Sequence, residues 1–269
     1  MWADSARYIK GGTILIDIHN HILPNLDDGP QAVEDALEMA RSAFSQGITQ
    51  IVATPHHNHP MFNNPRSKVL EAVDFLNDQL KREAMDLSIL PGQECRISGE
   101  IIEDYQNAEI LSVNENGKYL LIEFPSNHVP RYTERLFYDI QVSGLIPVIV
   151  HPERNSEIIQ NPDRLYELVK GGALSQVTAG SLIGNFGKKI GRFSLQLVES
   201  GLSHIVGSDA HNVTTRGFCL REAYETIEDQ FGIGLRMEFE ENANLMVQGE
   251  ALYLQPPTPI RQKRFLGLF

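Results

Sequence analysis

The chain has 269 residues, 42% of them apolar, which is enough for one large core and normal for a single α/β barrel. Its formal net charge of −12 argues against general nucleic-acid binding, because a phosphate backbone needs a basic surface. Two cysteines, Cys95 and Cys219, give no disulfide framework, and no apolar run approaches the roughly 20 residues of a membrane-spanning helix, so the expectation is a cytoplasmic protein.

Residues 14–18 are a short apolar run of buried-strand type. Asp28-Gly29-Pro30 then opens a helix whose Val33, Ala36, Leu37, Ala40, Ala43 and Phe44 share one face, with Gly47 placed to end it. A strand at 48–54 follows, then a helix at 68–85 with Val69, Val73, Leu76 and Leu80 at helical spacing. A strand at 87–90 leads into Gly92-Gln93-Glu94, and 118–124 is a strand carrying Glu123. The second half keeps the rhythm: helix 132–142, strand 145–150, helix 162–170, strand 174–178, helix 189–199, strand 202–208 and helix 216–230. Seven strands alternating with helices predict a parallel sheet. That many units in this length favour closure into a barrel over an open doubly wound sheet, and no Gly-x-Gly-x-x-Gly turn follows the first strand.

Four of these strands end in residue types that ligate metals. His19 and His21 follow the first, His56 the second, His151 strand 145–150, and Asp209 and His211 strand 202–208. Residues two apart on a strand share a face, so His19/His21 and Asp209/His211 are side-by-side pairs at strand exits. A parallel barrel gathers such exits at one rim, where imidazole and carboxylate suit a divalent metal. A core does not otherwise favour them, because an unpaired buried charge is costly.

Glu123 shares a face with Tyr119 and Leu121 in an apolar strand, which fits a carboxylate meeting a cation or an exposed edge position. Glu94, after the Pro91-Gly92 turn, reads as a ligand or as a solvated loop residue. Asp28 suits an N-cap before Gly29-Pro30, and its loop also brings it within reach of the His19/His21 rim. Arg154 stands three residues after His151 and Arg216 five after His211, where their forked donors suit phosphate. Of the other histidines, His57 and His59 read as surface residues or supports of the ligands, His128 as a residue at the site mouth, and His204 as a packed, hydrogen-bonded one.

Asp17-Ile18-His19-Asn20-His21, Thr54-Pro55-His56, His151-Pro152-Glu153-Arg154 and Ser208-Asp209-Ala210-His211-Asn212 resemble the motifs of the polymerase and histidinol phosphatase (PHP) superfamily. Within it, Leu26-Asp27-Asp28-Gly29, Leu121-Ile122-Glu123-Phe124-Pro125 and 147–154 are similar to the bacterial manganese-dependent protein-tyrosine phosphatases of the CpsB/CapC type. The resemblance implies a distorted (β/α)7 barrel of the PHP type over residues 16–269, with 1–15 as an N-terminal extension. It also implies a trinuclear centre. His19, His21, Glu94 and Asp209 would hold one ion, Glu94 as a bridge with Glu123 and His151 a second, and Asp28, His56 and His211 a third. Arg154 and Arg216 match the family's phosphate-binding arginines.

The ligand set lacks thiolate, which suits Mn, Fe or Zn; the resemblance puts Mn2+ first, with Fe, Zn or Mg as alternatives. Three divalent ions bring about +6 against about −4 from the carboxylates, so a phosphate dianion is drawn to an otherwise acidic protein. The expected reaction is in-line attack on phosphotyrosine by hydroxide that the ions generate from water. No arginine stands six residues after either cysteine, where Ile101 and Glu225 are found, so the cysteine-loop phosphatase signature is absent. By resemblance the partner is the Tyr-rich tail of a membrane-associated bacterial tyrosine kinase that controls capsule or exopolysaccharide synthesis. The basic, apolar run at 261–269 reads as a surface tail or as a contact for such a kinase or acidic lipid. Rival readings are a small-molecule phosphoesterase of the same superfamily, an amidohydrolase, and a non-catalytic scaffold.

Overall fold

A computed structural model of the protein describes residues 15–260; residues 1–14, all but the last residue of the expected extension at 1–15, and the run at 261–269 lie outside the described residues. Among the described residues there are nine strands: β1 (Leu15–Asn20), β2 (Ile48–Ala53), β3 (His56–His57), β4 (Ser88–Pro91), β5 (Glu94–Arg96), β6 (Tyr119–Glu123), β7 (Ile146–Val150), β8 (Leu174–Thr178) and β9 (Ile205–Gly207). All pair in parallel, as β1-β2-β4 and as β3-β5-β6-β7-β8-β9.

The two sheets are one curled wall. Thr54-Pro55 separates β2 from β3 and Gly92-Gln93 separates β4 from β5, so the strands expected at 48–54 and 87–90 each resume, after a break, as a short strand that was not expected. Pro55 has no N–H to give a ladder, yet its carbonyl still accepts from Glu94 N at 3.2 Å. Closure falls between the first and last strands: Asp209 N donates to the His19 carbonyl at 2.7 Å and His21 N to the Ala210 carbonyl at 2.8 Å. The result is the expected distorted seven-strand barrel.

Strand periodicity sorts side chains between two apolar layers. Ile16, Ile18, Val52, Tyr119, Leu121, Val148, Val150, Leu174 and Ile205 fill the interior, together with Ala243, Met246 and Val247. The last three come from the helix Ile233–Gln248, which lies across the end where the strands begin. Asn114 and Asn116 fasten it there, donating to the carbonyls of Val247 and Met246. Alternate strand residues such as Leu120, Ile122, Ile149, Val177 and Val206 point outward beneath the helices. The helix Arg66–Arg82 buries the face its spacing predicts, Val69, Val73, Leu76 and Leu80, whereas Val33–Ser45 buries Ala36, Ala40 and Ala43 of the expected face together with Met39 and leaves Phe44 exposed.

Helix boundaries differ most after β9. The helix expected at 216–230 is Leu220–Phe231. Residues 212–216 instead fold around the Asn212 carboxamide, whose Oδ1 accepts from the backbone N–H of Thr214, Thr215 and Arg216.

Candidate metal centre and active site

A cavity of about 300 Å³ opens at the rim where the strands end. His56, Glu94, Glu123, His151, Arg154, Asp209 and Arg216 stand on its wall, with Ser126 and Asn155. Local backbone irregularities aim these side chains. The β1–β2 register shifts between Asp17 and Asn20, which lets His19 and His21 reach the rim although Ile16 and Ile18 face the interior. His151 (φ 36°) and Asp209 (φ 53°) adopt left-handed backbone, turning each off the line of its strand. Asp17 accepts from the backbone N–H and the hydroxyl of Ser208, tying β1 to the end of β9 beside the ligand pairs. Gly29 is required where it stands, because a Cβ there would lie 2.1 Å from the His21 carbonyl oxygen.

Three imidazoles are oriented from behind. His19 Nδ1 donates to Gln176 Oε1 at 2.7 Å, His21 Nδ1 to Asp27 Oδ2 at 2.6 Å, and His211 Nδ1 to the Asp209 carbonyl at 2.9 Å. Each therefore presents Nε2 to the centre, and none of these Nε2 atoms has a hydrogen-bond partner. His56 Nδ1, Glu94 Oε2 and Glu123 Oε2 are likewise buried without a hydrogen bond, although Glu123 Oε2 has an ion-pair contact with Arg96 and Glu94 Oε2 one with His56. A lone buried polar atom without a partner costs about 1–3 kcal/mol, so a convergent set of them fits a centre built to hold cations.

Glu94 stands at the middle of the set. His21 Nε2 is 3.3 Å and His19 Nε2 3.5 Å from its Oε2, His56 Nδ1 is 2.9 Å from the same oxygen, and His151 Nε2 is 2.6 Å from Oε1. Asp209 Oδ1 lies 3.4 Å from His21 Nε2 and 3.7 Å from His19 Nε2. Asp28 Oδ1 lies 3.2 Å from His211 Nε2 and 3.6 Å from His56 Nε2. Among the described residues, three groups of donors come close enough to share an ion: His21, Asp28, His56 and His211; His19, His21 and Glu94; and His56, Glu94 and Glu123. His21 and His56 thus each join two groups, and Glu94 joins two. All are nitrogen or oxygen donors, a set that fits divalent ions.

Electrostatics tell the same story. Burial pushes the Glu94 carboxyl up, but the imidazoles of His56 and His19 more than reverse this and hold it well below the usual range. Asp209 is held low in the same way, burial being outweighed first by Arg154. Glu123 goes the other way: burial and then the Glu94 charge push it up to about 7. Burial lowers His19 and His21, and the carboxylates of Glu94 and Asp27 respectively outweigh it, so both rise. The centre is short of positive charge. Burial and then Arg154 push His151 down to about 4, leaving a neutral ring of the kind that ligates.

The expected arginines meet at one carboxylate. Arg154 Nη2 is 2.5 Å and Arg216 Nη2 2.9 Å from Asp209 Oδ2, and the Nε of each is buried without a partner. All eleven residues expected at the site therefore gather at one rim. The sequence reading missed four supporting groups. Asp27 and Gln176 orient His21 and His19, Arg96 pairs with Glu123 at 3.1 Å, and Asp17 ties the strands.

The remaining histidines fall in different places. His57 is buried and donates from Nδ1 to the Asn64 carbonyl, so it is no surface residue. His59 stacks on the His56 ring at 4.7 Å. His128 is exposed beside Asn127, and Ser126 is the residue of that loop on the cavity wall. His204 is packed as expected, with Nδ1 accepting from Ser175 N. Burial pushes both cysteine thiols up, Cys219 to about 12, which leaves neither as a nucleophile.

A parallel barrel with this rim falls in the class of metal-centred barrels that handle anions. Within that class, the chain belongs to the family described as capsular polysaccharide synthesis, CpsB/CapC, which matches residues 15–248. It is 52% identical over 255 residues to the tyrosine-protein phosphatase YwqE of Bacillus subtilis, covering 95% of this chain and 100% of that one. It is 44% identical to the putative tyrosine-protein phosphatase CapC of Staphylococcus aureus, covering 94% and 100%. Among solved structures, that reported for YwqE of Bacillus subtilis and CpsB of Streptococcus pneumoniae as unique metal-dependent tyrosine phosphatases gives a TM-score of 0.90 at 52% identity. It covers 92% of this chain and 100% of the other.

Proposed function

We propose that this protein is a metal-dependent protein-tyrosine phosphatase that hydrolyses phosphotyrosine on a partner protein. The observation that carries the reading is the set of buried, unpartnered ligand atoms around Glu94, set beside two arginines that share Asp209. Family membership and the names of the relatives supply the substrate class.

His19, His21, Glu94 and Asp209 would hold one ion, Glu94, Glu123 and His151 a second, and Asp28, His56 and His211 a third. Manganese is the ion we favour, with Fe, Zn or Mg as alternatives. Bound divalent ions supply a hydroxide nucleophile near neutral pH, where free water has a pKa of about 15.7.

The chain's own residues do the rest. Gln176, Asp27 and the Asp209 carbonyl fix which ring nitrogen each histidine presents. Arg154 and Arg216 offer unpartnered Nε–H groups on or beside the cavity, which receive the non-bridging phosphoryl oxygens and the charge they gain in the transition state. Phenolate, with a pKa of about 10, is a fair leaving group for such a step. The partner is the Tyr-rich tail of a bacterial tyrosine kinase controlling capsule or exopolysaccharide synthesis.

Exhaustive chelation tests the reading. It should abolish hydrolysis of a phosphotyrosine peptide, lower the melting temperature, and be reversed by Mn2+. Bound ligand at about 100 times its Kd stabilises by about 2.7 kcal/mol, so a measurable shift is expected. Full activity in protein shown by elemental analysis to be metal-free would overturn the proposal.

A further inference from the structure

We propose that the segment 184–192 is a docking strip for phosphotyrosine flanked by acidic residues, with Phe186 receiving the aromatic ring and Lys188, Lys189 and Arg192 receiving the acidic flank. This deepens the tyrosine-phosphatase reading and rests on it.

Phe186 is 37% exposed, and a built turn holds it out. Asn185 N donates to the Gly180 carbonyl at 2.8 Å and Gly187 N to the Gly184 carbonyl at 2.9 Å. Gly184 and Gly187 take left-handed φ of 88° and 91°, which an L side chain would strain. The Phe186 ring lies 5.4 Å from the Arg154 guanidinium carbon, and Arg154 lines the cavity. An aromatic face is therefore fixed beside the group that takes the phosphate. A phenyl ester whose phosphorus enters the cavity carries its ring past that face, where offset or edge-on contact is favourable.

The residues that follow carry charge with no structural task. Lys188, Lys189 and Arg192 are exposed, and none has an ion-pair partner among the described residues. Lys188 and Lys189 stand in the first turn of the helix Lys188–Glu199, which has no acidic residue in that turn to offset them. The helix dipole disfavours cations there, so the fold gains nothing from their placement. Three unpaired cations together are also conspicuous in a chain of net charge −12. At about 3.8 Å per residue, Lys188 and Lys189 lie within roughly 12 Å of Phe186 along the chain. An extended peptide advances about 3.3 Å per residue, so flanking side chains two to four positions from the phosphotyrosine span that distance. The strip accordingly fits an acidic peptide. The chain's net charge of −12 disfavours a broad anionic membrane surface as the occupant.

The test compares two peptides with the same phosphotyrosine, one flanked by Asp and Glu and one by Lys. It measures kcat/KM with Mn2+-loaded protein, and binding by anisotropy of matched peptides carrying a non-hydrolysable phosphonate. The acidic peptide should be preferred about tenfold at low salt, with the preference lost near 0.5 M salt, where screening shortens to about 4 Å. In the variant K188E/K189E/R192E the ratio should fall to about one or invert. Phe186→Ala should raise KM for both peptides and leave their ratio intact. Equal use of both peptides by the wild-type protein, or a preference that survives the triple substitution, overturns the strip while p-nitrophenyl phosphate turnover keeps the phosphatase reading. Loss of binding to anionic vesicles rather than to peptide in the triple variant would likewise overturn it. Failure to hydrolyse p-nitrophenyl phosphate at all removes the functional reading and this one with it.

Discussion

Asp27 accepts the Nδ1 proton of His21 at 2.6 Å and at the same time accepts from the backbone N–H of His56 at 3.0 Å. One carboxylate thus sets the tautomer of one proposed ligand and the backbone position of another. Burial raises its carboxyl, and the His21 imidazole more than reverses this, so Asp27 stays ionised.

Asp27→Asn keeps the shape and removes the charge. Partners of this kind typically contribute 10–100-fold in metal affinity, so the variant should bind Mn2+ about that much more weakly while folding normally. Titration calorimetry on metal-stripped protein measures this. Wild-type affinity in the variant would remove the orienting role.

Arg154 and Arg216 share the Asp209 Oδ2 oxygen, so their effects should not add. Arg154→Ala and Arg216→Ala should each lower kcat/KM by about 100- to 1,000-fold, the range for losing one transition-state donor. The double variant should fall short of the product of the two. Metal content by elemental analysis should remain that of the wild type. Unchanged kinetics in both single variants would dismiss the phosphate clamp.

His204 supplies a pH test away from the metal centre. Burial pushes its imidazole down to about 4 from an ordinary value of 6.5. Between those values the unfolded chain binds a proton that the folded chain refuses. Stability is therefore full above pH 6.5 and falls as the pH drops toward 4, by about 3 kcal/mol from this group. Urea unfolding in chelator at steps from pH 7 to 4 should show a shallower decline for His204→Gln than for wild type. Parallel curves would contradict the assignment.

Much of this architecture was readable because its signals are local. Apolar runs alternating with helical faces predict the barrel, and ligand types placed just past four strands predict the rim. The unread parts depend on contacts between distant residues. Gln176 orients His19 across 157 positions and looks in sequence like any strand glutamine. Asp27 carried a weak signal, since it stands beside Asp28, and the expected N-cap drew attention to its neighbour. The breaks at Thr54-Pro55 and Gly92-Gln93 arise where chain bends bring His56 and Glu94 opposite each other, with His56 paired to Glu94 across β3 and β5. The loop around Asn212 defeated the helical reading because one carboxamide takes three N–H groups that a helix would otherwise have used.

The helix Ile233–Gln248 closes the floor of the barrel with Ala243, Met246 and Val247. Among the described residues, the cavity at the proposed centre opens at the opposite end, at the rim where the strands finish. For a phosphate ester seated with its phosphoryl group innermost, the expected order is the tyrosyl product first and inorganic phosphate last, with phosphate a competitive inhibitor of the next ester.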